Sequence, residues 1–143
     1  MSTHPRQAIR EAVVALLVAA GTDAGSDVYP TREVPWRSVE LPGIAVYSLE
    51  ESSQRITGGR DLDRSVVLAI HAVAQLSEGI DDALDALALQ VEKAMAADPT
   101  LGGKALASYL AGTEISVDET TQRPVGAIRL AYEVRYHTTA AVT

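Results

Sequence analysis

The chain has 143 residues, 47% of them hydrophobic and 22% charged, with twelve Lys and Arg against nineteen Asp and Glu for a formal net charge of −7. These proportions are those of one soluble globular domain and exclude a disordered chain. The acidic balance argues against general nucleic-acid binding, in which basic side chains neutralise phosphates, and the lack of cysteine excludes a disulfide scaffold, a thiol nucleophile and Cys-ligated metal sites.

Pro5–Ala20 reads as a helix. Thr3 or His4 can cap it, Pro5 suits the first turn, and Ile9, Val13, Leu16, Leu17 and Ala20 recur at helical spacing. Gly21 is its expected stop. The same segment holds the longest apolar run, Ala12–Ala20, which is too short to span a bilayer and is followed by no cleavage motif. An intracellular chain with no membrane partner is therefore expected. Ser26–Pro30 reads as a short strand, and a loop with Pro30, Pro35 and Trp36 follows.

Gly43–Leu49 is a strand with few polar positions, and Glu50–Asp61 reads as a polar loop broken by Gly58-Gly59. Leu62–Leu76 is a long strand. Val66, Leu68, Ile70, Ala72 and Ala74 lie on one face, and Val67, Ala69, His71 and Val73 on the other. Both faces are mostly apolar, so the strand is expected to be central and covered on both sides, with His71 a hydrogen-bonded core histidine.

Ile80–Ala97 is the second helix, with Ile80, Leu84, Leu87, Val91 and Met95 as its buried stripe and Asp98-Pro99 as its end. Lys104–Leu110 reads equally as helix or extended chain. Gly112–Asp118 is a strand and Glu119–Pro124 a turn. Val125–Thr138 alternates most cleanly: Ile128, Leu130, Tyr132, Val134 and Tyr136 face inward, while Arg129, Glu133 and Arg135 face a wet or interfacial side. Residues 139–143 are expected to be a loose end. The order predicts a single α+β domain over 1–143, with a mostly antiparallel or mixed sheet and two main helices packed on it. With no Phe, one Trp and 23 Ala, its core is built mainly from Ala, Val and Leu.

Local chemistry points away from an enzyme and implies no cofactor. Asp81-Asp82-Ala83-Leu84-Asp85 matches D-D-x-x-D, which on a helix can chelate magnesium. Acids in a first turn also complement the helix dipole, and diphosphate enzymes with this motif are longer, all-helical and carry a second metal site. Asp81, Asp82 and Asp85 thus remain magnesium candidates without making a specific site. Leu101-Gly102-Gly103-Lys104 lacks phosphate-loop spacing, the three histidines are scattered, and no G-x-S-x-G elbow occurs.

A longer pattern is more informative. An amphipathic helix leads to Leu41-Pro42-Gly43-Ile44-Ala45-Val46-Tyr47, then to a polar loop and an apolar strand over Ser65–Gln75. An acidic helix opening on Asp81-Asp82 follows, and the chain closes on Ile128-Arg129-Leu130-Ala131-Tyr132-Glu133-Val134-Arg135-Tyr136. Across residues 5 to 138 this order resembles the tail terminator proteins of long-tailed phages, the minor tail protein U family of lambda-like phages. The chain departs from that pattern in a longer Pro30–Glu40 stretch and a longer C-terminal end. The resemblance implies a structural protein of the virion, made in the host cytoplasm and placed at the head-proximal end of the tail. It implies a homohexameric ring that caps the tail-tube protein, ends tube polymerisation and presents a surface to the head-completion protein, with DNA passing through unread. Arg129, Glu133 and Arg135 are then candidates for the subunit interface, and Arg55, Gly58, Gly59 and Arg60 for a tube-docking loop. The alternatives are a neighbouring tail-completion or head–tail connector protein, or a small ligand-binding domain or enzyme.

Overall fold

The structure is a computed structural model that describes residues 3–36, 41–56, 58–118 and 124–139. Helix α1 spans Pro5–Ala20, strand β1 Val28–Tyr29, β2 Gly43–Arg55, β3 Leu62–Gln75, helix α2 Ile80–Ala97, β4 Ala107–Asp118 and β5 Val125–Thr138. The five strands form one sheet in the order β1-β2-β3-β5-β4, in which only β1 and β2 run parallel among the described residues. This is an α+β fold on a mixed sheet.

The helices begin and end where their sequence dictates. His4 caps α1, its Nδ1 accepting the Arg6 N–H at 3.0 Å, and Pro5 occupies the first turn where no donor is lost. Gly21 closes the helix at φ 69°, a left-handed conformation that glycine adopts without a side-chain clash. Asp81 and Asp82 stand in the first turn of α2, where negative charge complements the helix dipole.

Both helices lie on one face of the sheet. Ile9, Val13 and Leu17 of α1 and Leu84, Leu87, Val91 and Met95 of α2 meet Ile44 and Val46 of β2, the Val66–Ile70 set of β3, and Ile128, Leu130, Val134 and Tyr136 of β5. A Cβ at Gly126 would stand 2.7 Å from Ile80 Cγ1 and 2.9 Å from Leu84 Cδ1, so the bare backbone there lets α2 approach β5 closely.

Several sequence expectations change. Half of Glu50–Asp61 is strand: β2 runs on to Arg55, and the hairpin is closed by the Ile56 N–H on the Asp61 carbonyl at 3.1 Å. Polar residues there suit a strand that faces solvent and still pairs fully with β3. Lys104–Leu110 resolves into the end of a turn followed by β4, which starts at Ala107 and absorbs the expected Gly112–Asp118 strand. The expected Ser26–Pro30 strand shortens to Val28–Tyr29. β3 is central, but its second face is only partly covered: Ala69 and Val73 are buried, while Val67 and His71 are half-buried. Residues 119–123 of the expected turn and 140–143 of the expected loose end lie outside the described residues.

Two irregularities set which side chains share a face. The β2–β3 register slips between Ser48 and Glu50, and the β4–β5 register slips between Leu110 and Gly112. An extra residue in one strand reverses its alternation. Past the first slip Glu51, opposite Val66, therefore joins the helix-covered face that Ile44 and Val46 occupy before it.

Candidate functional site

The face of the sheet away from the helices is polar over most of its length. Arg129, Glu133 and Arg135 all project there from β5, as the alternation predicts, and each already has a partner within its own chain. Arg129 pairs with Glu114 of β4, its cross-strand neighbour. Glu133 accepts the Ser65 hydroxyl at 2.6 Å, and Arg135 reaches Asp63 at 3.1 Å. The Ser65 bond, then the Tyr109 hydroxyl, hold the Glu133 carboxyl below its usual range.

At one corner of this face aromatic rings cover the sheet. Trp36 lies edge-on to Tyr29 with centroids 6.4 Å apart, and its Cζ3 is 2.8 Å from the position a Gly43 Cβ would take. His71 sits between Trp36 at 6.4 Å and Tyr47 at 6.3 Å. The Arg32 guanidinium stacks on the other ring of the group, 5.1 Å from the Tyr47 centroid. His71 is thus not the hydrogen-bonded core residue expected, because its buried Nδ1 has no hydrogen-bond partner among the described residues. Burial, then the Arg129 charge, lower its pKa against the opposing pull of Glu114.

The second charged group lies on the helix side, near the hairpin end of the sheet. Glu51 accepts from Arg6 of α1 at 2.7 Å, from Arg64 of β3 at 3.3 Å and from the Tyr136 hydroxyl. Arg64 also donates from Nε to Thr138 Oγ1 at 3.0 Å and approaches His4 Nε2 at 3.3 Å. Burial pushes the Glu51 carboxyl up, but the Tyr136 hydroxyl and the two arginines outweigh it and hold the group below its usual range. Burial, then the Glu51 hydrogen bond, push Tyr136 up to about 12. The arrangement ties the start of α1 to the far ends of β2, β3 and β5. The sequence pattern does not show it, because the polar run Glu50–Asp61 reads as a loop. The available signal was Tyr136 itself, a phenol on an inward face whose hydroxyl needs a partner.

The remaining candidates fall elsewhere. Arg55 ends β2, while Gly58, Gly59 and Arg60 are exposed in the hairpin turn, Gly58 at φ 72°. Asp81, Asp82 and Asp85 are exposed on α2, and no three His, Asp or Glu side chains converge on a common metal position among the described residues. None of the helices among those residues is long and apolar enough to cross a membrane.

The fold and the polar sheet face define an α+β domain whose charged side chains are organised across strands. A similar fold occurs among solved structures in a chain of the virion of a native gene transfer agent particle. The match has 14% sequence identity and a TM-score of 0.50, covering 90% of this chain and 94% of that one. At that identity the likeness is one of fold. No family model matches the chain, and no curated protein does.

Proposed function

We propose that the chain is a structural subunit of a phage-like particle, and more narrowly a tail terminator that forms a ring on the end of the tail tube. The observation that carries this reading is the shared fold with a virion chain over nearly the full length of both. It agrees with the sequence resemblance over residues 5 to 138, which rests on the order of helices and strands and on the segments around Pro42 and Tyr132. In this reading copies of the chain close into a homohexamer, the tube protein docks on one side and the head-completion protein on the other. DNA passes through without being read, and a net charge of −7 per subunit suits a conduit that must not hold phosphates.

The test is reconstitution. Purified protein is imaged by negative stain alone and after addition to growing tail tubes. Open-centred rings, and tubes that stop elongating and carry one ring at an end, are the expected results. Tubes that elongate unchanged with no ring bound overturn the terminator reading. Rings that bind a finished tube without arresting growth favour the tail-completion role instead.

A further inference from the structure

Strand β4 is the last strand of the sheet and pairs only with β5 among the described residues. Soluble proteins ordinarily guard such an edge by making it short, by placing charges or Pro on it, or by a bulge, because unpaired backbone groups template further strands. β4 is twelve residues long, its slip falls between Leu110 and Gly112, and the regularly paired stretch beyond it, Gly112–Asp118, contains no Lys, Arg or Pro, with Glu114 held by Arg129. It also exposes apolar side chains: Ile115 is 56% exposed and Leu110 37%. Both project on the helix side of the sheet, opposite Ile128 and Tyr132. Glu92 of α2 shares a cleft with Leu110 and Tyr132, and Leu89, 53% exposed, lies one turn earlier on that flank. A strand laid along β4 would gain backbone hydrogen bonds and cover this strip.

The opposite edge is free over a complementary length. β1 pairs only with Ile44 and Ala45 of β2, and Arg32 bonds the Ser48 carbonyl. From Glu50 to Arg55, β2 pairs with β3 alone among the described residues, Leu49 being the extra residue at the slip. We propose that the β4 edge of one subunit takes the Glu50–Arg55 edge of a second copy, extending the sheet from subunit to subunit. Charge selects this head-to-tail pairing over β4 against β4. Residues 78–118 contain eight Asp and Glu against two Lys, so two such edges would bring like charge together. The β2 side offers Arg10, Arg32 and Arg55 beside Glu33 and Glu50, while its third acid, Glu51, is already paired with Arg6 and Arg64. A heterologous contact of this kind closes into a ring when its rotation permits, whereas β4 against β4 stops at a dimer. The inference rests on the ring reading for its partner, a second copy of the chain.

The chain has no cysteine, so Thr113→Cys and Ser53→Cys each introduce a unique thiol. Both positions are exposed and lie on the helix side of their strands, the side a continuous sheet would share. The two variants are mixed, treated with a short bis-maleimide and read by denaturing electrophoresis, with sizing for assembly and circular dichroism for fold. The expected result is a covalent 53–113 dimer in the assembled fraction, reduced at least tenfold when Ile115→Lys is added to the Thr113→Cys chain. Dimers formed only between two Thr113→Cys chains overturn the head-to-tail pairing. Rings without the 53–113 product overturn the edge contact and leave the ring standing. Folded protein that neither assembles nor cross-links overturns both.

Discussion

The Tyr136 hydroxyl donates to the Glu51 carboxylate, joining residues 85 apart in the chain at the end of the sheet where α1 begins. The contact exists because the register slip after Ser48 turns Glu51 towards the helices. Glu51 is the shared acceptor for three donors on three elements, so its loss strands two arginines and a phenol at once. Glu51→Gln is expected to destabilise the fold by about 2 kcal/mol, as hydrogen bonds to a charged group of this burial do. Urea unfolding of the two proteins at pH 7 measures it. An unchanged midpoint would mean the arginines are solvated well enough to do without the carboxylate.

The same carboxylate gives a pH signature. Its folded pKa lies below the ordinary value of 4.5, so folding favours the ionised form. The associated stability is present above 4.5 and drains as pH falls through the lower, folded value. Unfolding midpoints collected below pH 5 should fall less steeply in Glu51→Gln than in the parent. Parallel slopes would place the acid sensitivity in other carboxyls.

Gly126 marks where α2 and β5 come closest. A side chain there meets Ile80 Cγ1, part of a β-branched side chain that cannot swing away freely, and Leu84 Cδ1. Gly126→Val is expected to cost about 1–3 kcal/mol, the usual penalty of overpacking. Thermal unfolding measures it, and Ser116→Val on the exposed side of β4 serves as the control for strand propensity.

How much of this was legible depended on periodicity. Both helices could be read to the residue from their apolar stripes and end signals, and β5 from fourteen residues of unbroken alternation. β2 and β4 were not readable in full because each contains a register slip. After Ser48 and after Leu110 the inward set changes parity, so a period-2 reading stops at the slip. The polar run Glu50–Arg55 then looks like a loop, although β3 supplies all the pairing it needs. His71 departs from its expected setting for a different reason. Its strand is apolar on both faces, but helices cover only one, and the second is shielded at a single corner by Trp36 and Tyr47. No local pattern announces which face a distant loop will cover.

That corner supplies an optical probe. Trp36 is the sole tryptophan of the chain, and its ring lies 6.4 Å from that of His71. A protonated imidazole quenches indole emission, so Trp36 fluorescence should drop as His71 takes up a proton. Because burial and Arg129 lower its pKa, the midpoint is expected below 6.5. The neutral form is favoured in the fold, so this site's contribution to stability is full above 6.5 and is lost as pH falls towards the folded value. His71→Gln should remove the fluorescence step. A step that survives the substitution would assign it to another group.

Assembly should respond to salt. In the proposed hexamer six copies at −7 each would carry −42 formal charges, and the exposed Asp81, Asp82 and Asp85 concentrate part of that charge on α2. Self-repulsion opposes closure of a ring, and screening relieves it within a Debye length of roughly 10 Å at 0.1 M salt. Raised salt or millimolar magnesium is therefore expected to shift sedimentation from monomer to ring. Magnesium acting no more strongly than sodium at equal ionic strength would show that the carboxylates are merely screened.

Arg135 separates two roles of the polar sheet face. Its pairing with Asp63 is largely exposed, the two side chains retaining 48% and 34% of their accessibility, so within one subunit the pair is worth about 0–1 kcal/mol. Arg135→Glu should therefore leave the circular dichroism spectrum and the unfolding midpoint nearly unchanged. If the face also meets acids of a neighbouring subunit, partial desolvation strengthens those contacts, and the same substitution lowers ring formation sharply. The double variant Arg135→Glu with Asp63→Arg restores the pair inside the subunit but not the charge pattern shown to a neighbour. Ring formation that stays low in the double variant assigns Arg135 to the interface. Recovery to the parental level assigns it to the subunit's own sheet, and leaves the strand edges to join the copies.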